Sequence, residues 1–278
     1  MESTNNYLTQ LFSLKDKVAV VTGGMGRLGT EFTKALAQSG AKVAIFDIVD
    51  TPNQDLLDLS LKYPIKFLQV NIRIEAEVER AVKIVEDVWG IPNLLVNNAG
   101  WRASPNEKTR VSVPFENYPM DVWDEVFSIN TTAAAICAKI VGGRLIKAKQ
   151  TGTIINIASH YGLVSADQRI YDYREKIGKD KFVKDASYGA SKAALVALTR
   201  DLATLWAPFG IRVVALAPGG VFNPKSDPEF VANYSARVPM GRMANIDEYN
   251  GAIVFLASDA ASYMTGNCLV IDGGWTSW

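Results

Sequence analysis

The chain has 278 residues, 48% of them hydrophobic and 21% charged, which suffices to bury one sizeable core and excludes a disordered or fibrous polymer. Lysine plus arginine equals aspartate plus glutamate at 29 each, so no global field draws the chain to nucleic acid or to an anionic membrane, and a small-molecule ligand is expected. Cys137 and Cys268 stand far apart in separate apolar runs, a pattern that suggests neither a disulfide framework nor a metal site and fits a reducing compartment.

In chain order, the opening segment MESTNNYLTQLFSLKDK has no basic stretch followed by a long apolar run, and no eighteen consecutive apolar residues occur, so a cytoplasmic protein is expected. Short β-branched runs then alternate with segments of helical period. The runs are KVAVVT (17–22), KVAIFD (42–47), KFLQV (66–70), NLLVNN (93–98), GTIINIAS (152–159), IRVVALA (211–217) and CLVID (268–272). Between them, GTEFTKALAQSG ends on Gly40 and EAEVERAVKIVEDVWG ends on Gly90, each with apolar residues three to four apart. This alternation predicts an α/β protein with a doubly wound, parallel, seven-stranded sheet and helices on both faces. No repeat, low-complexity tract or linker interrupts it, so a single domain over 14–278 is expected, after an N-terminal extension of 1–13. Two long segments, about 101–119 and 166–186, follow predicted strands at the sheet edge where open α/β folds bind ligands, and read as insertions.

After the first run comes Thr22-Gly23-Gly24-Met25-Gly26-Arg27-Leu28-Gly29, opening a helix. Glycine backbone there can approach a diphosphate while the helix N-terminus supplies N–H donors and the positive end of its dipole. Asp47 ends the second run, where a carboxylate accepts hydrogen bonds from ribose hydroxyls and repels a 2′-phosphate. The pattern is that of a Rossmann dinucleotide site with NAD preferred; Arg27, near the phosphates or the adenosine, offsets the bias and keeps NADP open.

The segment 188–206 reads as a helix that carries Tyr188 and Lys192 at i and i+4 on one face. A free tyrosine titrates near ~10, and a lysine cation together with an oxidised nicotinamide favours the phenolate. Of the ten tyrosines only Tyr188 has a lysine four places later. Tyr188 is therefore expected to exchange a proton with an alcohol or carbonyl.

These features together resemble the short-chain dehydrogenase/reductase (SDR) family, from about Leu14 to the C-terminus. The glycine segment, Asn97-Asn98-Ala99-Gly100, Ser159, Tyr188-Gly189-Ala190-Ser191-Lys192, Pro218-Gly219 and the terminal LVIDGG (269–274) occur in the family's order. The resemblance implies a single-domain Rossmann fold and reversible hydride transfer between a nicotinamide and a secondary alcohol or ketone. It implies that Ser159 hydrogen-bonds the reacting oxygen, Tyr188 is the general acid/base, Lys192 holds the nicotinamide ribose and tunes Tyr188, and Asn130 supports a proton relay through water. It assigns Gly23, Met25, Gly26, Arg27, Leu28 and Gly29 to the cofactor's phosphates, and Asp47, Asn71 and Ile72 to its adenosine side. Asn97, Asn98, Ala99 and Gly100 line that side as well, while Pro218, Gly219 and Val221 pass the nicotinamide. It also implies a homotetramer or homodimer that meets through the Tyr188 helix and the last strand, with Trp275 and Trp278 near an interface or a core.

The chain departs from the family pattern at four places. Arg27 stands where the family has a glycine, giving a TGxxGxxG spelling like that of extended relatives such as sugar-nucleotide epimerases and dehydratases, which stay as an alternative. Asn71 replaces an aspartate, and Asn223 replaces a hydroxyl residue that contacts the carboxamide. Ser159 and Tyr188 are separated by twenty-nine positions, absorbed in 166–186 as a solvated excursion, a lid or a subunit contact. Arg169 in that segment, with Arg102, Lys108 and Arg110 in the other, can present guanidinium and ammonium groups to a hydroxylated or anionic substrate, so a sugar, polyol or sugar acid is expected. His160, the one histidine, points away from Ser159 on an extended chain, so a hydrolytic dyad is excluded; it touches substrate or packs locally. A non-catalytic dinucleotide-binding regulator is the rival from another class, and the intact Asn, Ser, Tyr and Lys set argues against it. No metal is expected.

Overall fold

A computed structural model describes residues 7–101, 108–176 and 182–278. The apolar runs form seven parallel strands: β1 (Val18–Thr22), β2 (Lys42–Asp47), β3 (Ile65–Gln69), β4 (Leu94–Asn97), β5 (Gly152–Ile157), β6 (Ile211–Pro218) and β7 (Cys268–Ile271). Every strand expected from the sequence is present, with β3 one residue earlier because its ladder opens on the Val43 N–H to Pro64 carbonyl bond. The order is β3-β2-β1-β4-β5-β6-β7, so the winding reverses between β1 and β4. That reversal opens a crevice at the carboxyl ends of those two strands.

The principal helices are α1 (Arg27–Gln38), α2 (Glu75–Trp89), α3 (Ala133–Ala148), α4 (Ala186–Trp206), α5 (Pro228–Ser235) and α6 (Asn250–Ala257). Strands buried on both faces read as continuous apolar runs rather than alternating ones, which is why 18–21 and 43–46 are uniformly hydrophobic. On one face Phe32 and Leu36 of α1 and Ile253 and Leu256 of α6 pack on Val21, Val43 and Ile45. On the other, Val78 and Val82 of α2, Val141 and Leu145 of α3 and Ala203 of α4 pack on Val20, Ala44 and Ile154. Truncating one of these fully buried side chains to alanine costs roughly 2–5 kcal/mol. The helical run Met120–Ala148 is long and apolar enough to span a membrane by composition, and half of its most apolar window is buried within the protein.

A buried polar chain ties α4 to the sheet. Asn97 Nδ2 donates to Asn156 Oδ1 at 2.9 Å, Asn156 Nδ2 to Thr199 Oγ1 at 2.9 Å, and Thr199 Oγ1 to the Leu195 carbonyl at 2.8 Å. α4 begins at Ala186, two residues before the start read from the sequence, because the Asp185 carboxylate caps it by accepting the Tyr188 N–H.

Candidate active site

The β1–α1 loop is shaped by contacts that only glycine permits. A Cβ on Gly29 would stand 2.2 Å from the Gly23 carbonyl oxygen, and one on Gly23, at φ +61°, would stand 2.7 Å from Ala99 Cα. α1 starts at Gly26 without a side-chain cap, so the first N–H groups of the helix have no side-chain partner, which suits a bound diphosphate. Thr22 Oγ1 accepts the N–H groups of Asn98 and Ala99 at 3.1 Å each, and Asn98 Nδ2 donates to the carbonyls of Thr22 and Gly23. These bonds join the β1 and β4 ends into one wall.

Asp47 aims its carboxylate at that wall. It accepts the Met25 N–H at 2.9 Å and the Val49 N–H at 3.1 Å, one on each oxygen, leaving acceptor capacity on both for ribose hydroxyls. Arg27 stands beside the same wall, where its Nη2 donates to the Phe222 carbonyl at 2.6 Å, tying α1 to the loop after β6.

A cleft of about 1000 Å³ runs along the carboxyl ends of the strands. Of the expected cofactor residues all but Asn97 line it: Gly23, Met25, Gly26, Arg27, Leu28, Gly29, Asp47, Asn71, Ile72, Asn98, Ala99, Gly100, Tyr188, Lys192, Pro218, Gly219 and Val221. Ser159 lines it too, just past the end of β5, so Ser159, Tyr188 and Lys192 share one space with the glycine loop and Asp47. The volume, the glycine cradle and the carboxylate at the β2 end fit a nicotinamide dinucleotide.

At the triad, Lys192 is buried and donates from Nζ to the Ile157 carbonyl at 2.8 Å, and burial lowers its pKa to about 8. Burial raises the Tyr188 phenol above its ordinary value; a hydrogen bond with Ser159 opposes this, and the charge of Asp185 adds to it. The sequence expectation is that Lys192 together with an oxidised nicotinamide favours the phenolate; in the protein alone burial is the largest influence. Lys192 Nζ lies 6.0 Å from the Tyr188 ring centroid, and desolvation of both groups outweighs their attraction. Asn130 sits in a π turn, Ser128–Thr132, with its side chain already engaged: Oδ1 accepts the Trp101 N–H at 2.6 Å and Nδ2 donates to Ser191 Oγ at 2.9 Å. It braces α4 from below the cleft.

Several expected site residues lie elsewhere. Asn97 faces the buried polar chain, not the adenosine side. His160 does not line the cleft: it is buried, with Nδ1 3.1 Å from the Pro218 carbonyl and Nε2 3.2 Å from the Tyr234 hydroxyl, against the rings of Tyr161 and Trp275. Arg169 is exposed and paired with Asp167, whose carboxylate its backbone N–H also meets, so a local turn claims its guanidinium. Asn223 Oδ1 accepts the Lys225 N–H and caps a turn. Arg110 Nη2 donates to both carboxylate oxygens of Asp121. Arg102 and the side chain of Lys108 lie outside the described residues.

The 166–186 segment, where described, is no solvated excursion. Ile170 and Tyr173 are buried, and Tyr171 stacks on Phe230 of α5 with centroids 5.6 Å apart. Sequence reasoning missed Trp101, Arg73, Glu125 and Ile129 on the cleft wall, and Lys184 beside Tyr188. Trp101 directly follows the NNAG run and was legible there; no period marks the others.

A family model described as enoyl-(acyl carrier protein) reductase matches residues 25–276. The chain is a short-chain dehydrogenase/reductase. It is thus an NAD(P)-dependent oxidoreductase acting on CH–OH groups. Among curated relatives of this SDR, an NAD-dependent glycerol dehydrogenase of Listeria innocua is 30% identical over 95% of this chain and 96% of its own length. An NADP-dependent mannitol dehydrogenase of Hypocrea jecorina is 33% identical over 99% of this chain and 97% of its own. A solved short-chain dehydrogenase from Leptospira borgpetersenii with bound NAD+ superposes with TM-score 0.82 at 30% identity, covering 95% of this chain and 94% of that one.

Proposed function

We propose that this SDR oxidises a secondary hydroxyl of a polyol, sugar or sugar acid reversibly, with NAD preferred. The observation that carries the reading is the convergence of Ser159, Tyr188 and Lys192 with the glycine cradle and Asp47 in one cleft. The polyol and sugar chemistry of the glycerol and mannitol dehydrogenases that the chain resembles supports the substrate class. For NAD, the support is Asp47, whose charge stands where a 2′-phosphate would need room and a cation.

In this reading the 23–29 loop and the α1 N-terminus hold the diphosphate, Asp47 the adenosine ribose, and Lys192 the nicotinamide ribose. The bound nicotinamide supplies the hydride acceptor or donor. Ser159 hydrogen-bonds the substrate oxygen and orients the carbon, while Tyr188 takes the hydroxyl proton in oxidation and returns it in reduction. Burial keeps Tyr188 protonated in the empty site, so the positive charges of Lys192 and of the oxidised cofactor are what prepare it as a base. Asn130 fixes the helix turn that presents Ser191 and, one residue on, Lys192.

We also assign the protein to a homodimer or homotetramer built on α4 and the edge strand β7, and to the cytoplasm, which suits its two free cysteines. Turnover of a panel of polyols, sugars and sugar acids, followed as NADH and NADPH absorbance, tests the proposal. Net NADH release with at least one polyol is expected. Retained cofactor with no net release across the panel contradicts it and favours the epimerase-like alternative.

A further inference from the structure

Tyr188 carries a second cation. Lys184 Nζ stands 4.5 Å from the centroid of its ring, nearer than Lys192 Nζ at 6.0 Å and well inside cation–π range. We propose that Lys184 is a positioning residue that holds the Tyr188 ring and favours its phenolate, the role of Tyr188 as proton carrier being that of the preceding section.

The lysine is held where it is from both ends. Its ammonium lies 3.4 Å from Asp185 Oδ2, while Asp185 Oδ1 accepts the Tyr188 N–H at 2.9 Å and the Ser187 hydroxyl at 2.8 Å. Its backbone is clasped by the Gln168 side chain, which accepts the Lys184 N–H at 2.9 Å and donates to the Lys184 carbonyl at 3.1 Å. One residue earlier the Val183 N–H donates to Ser112 Oγ at 2.8 Å, and Tyr118 meets Ser187 at 2.9 Å. Both insertions thus converge on the N-terminus of α4. Their local effect is to deliver Lys184 to the face of the phenol, beside a second cavity of about 390 Å³ that Tyr188, Lys184 and Tyr161 line together.

The charges that face Tyr188 are Asp185 at the helix cap, Lys192 on α4 and Lys184 from the insertion; Ser159 and Tyr161 face it from the β5 loop as neutral hydroxyls. Asp185 disfavours the phenolate. Lys184, between that carboxylate and the ring, offsets it: a cation over the ring is attracted more strongly once the ring carries a full negative charge. Removing the cation leaves a largely buried carboxylate beside the phenol with its countercharge gone.

The test is the pH titration of Tyr188 in the free protein, read as phenolate absorbance relative to the Tyr188→Phe form of each variant, alongside the acidic limb of the kcat/KM profile. Lys184→Gln should move both upward by about one pH unit, and Lys184→Arg should hold both near the wild-type position. A titration and limb unmoved by Lys184→Gln, in a protein that oxidises polyols, overturn the role of Lys184 and leave the dehydrogenase reading standing. A shifted titration in a protein that turns over nothing on the panel keeps the electrostatic role and overturns the dehydrogenase reading instead.

Discussion

The wall made by 23–29, Asp47 and Asn98 is held by bonds to backbone, whereas the wall of the second cavity, lined by Tyr161 and Lys184 with His160 and Tyr234 packed behind it, rests largely on side-chain contacts. In the first, the Met25, Val49, Asn98 and Ala99 N–H groups and the Thr22 and Gly23 carbonyls do the fastening, and close contacts leave no room for a Cβ at Gly23 or Gly29. In the second, a His160–Tyr234–Trp275 aromatic cluster and the Lys184–Asp185 pair set the shape. Backbone walls recognise what every substrate pair shares, the dinucleotide. Side-chain walls can be rebuilt one residue at a time.

The sharpest way to break the first wall is Gly29→Ala. The new Cβ meets backbone rather than a yielding side chain, so the loop must shift, and dinucleotide affinity should fall roughly 100-fold, about 2.7 kcal/mol, by fluorescence titration. An affinity within twofold of wild type would mean that the loop is not the cofactor seat. In the second wall, Tyr234→Phe removes the hydroxyl that accepts the Gly220 N–H at 2.8 Å and meets His160. The orphaned groups should cost ~1–3 kcal/mol in thermal or denaturant unfolding, and KM for the polyol should rise more than KM for the cofactor. Equal changes in both would erase the distinction between the walls.

A smaller effect follows from His160, the one histidine. Burial lowers its pKa below the ordinary 6.5, with the Pro218 carbonyl and Asp272 opposing. As pH falls through 6.5 the unfolded chain takes up the proton first, so this group's contribution to stability is full above 6.5 and declines below it. Urea midpoints across that range should therefore fall with acid in the wild type and fall less in His160→Asn. Smallest of all, Arg169→Ala should leave kcat/KM unchanged and stability within about 0.5 kcal/mol, since Arg169 itself is exposed and its partner Asp167 keeps Arg237. A rise in polyol KM would return Arg169 to the substrate site.

The same contrast explains what was legible in the chain. Parallel strands buried on both faces announce themselves as unbroken apolar runs, and a glycine loop between strand and helix suits a diphosphate, so the sheet, the 23–29 loop and Asp47 followed from residue type and spacing, while Asn71, Ile72, the 98–100 run and Pro218 to Val221 followed from the family resemblance. Tyr188 and Lys192 were legible because a helix converts a spacing of four into one face. The sequence left His160 between touching substrate and packing locally and set Arg169 toward substrate, because charge and adjacency to Ser159 say nothing of which way a loop side chain turns; a buried aromatic nest holds the first and a local Asp167 turn the second. Asn97 was misplaced because within a run buried on all sides an amide serves the core as readily as a ligand. Lys184 was invisible because its partnership with Tyr188 depends on a twenty-residue detour returning to the helix cap.

The measurement that tests the central claim most directly is Tyr188→Phe, assayed for cofactor binding by fluorescence and for NADH formation with a polyol that the wild type oxidises. The dinucleotide should bind as in the wild type while turnover falls by at least about 10²-fold, because the wall that holds the cofactor is intact and the proton carrier is gone. Undiminished NADH formation in that variant would contradict the account.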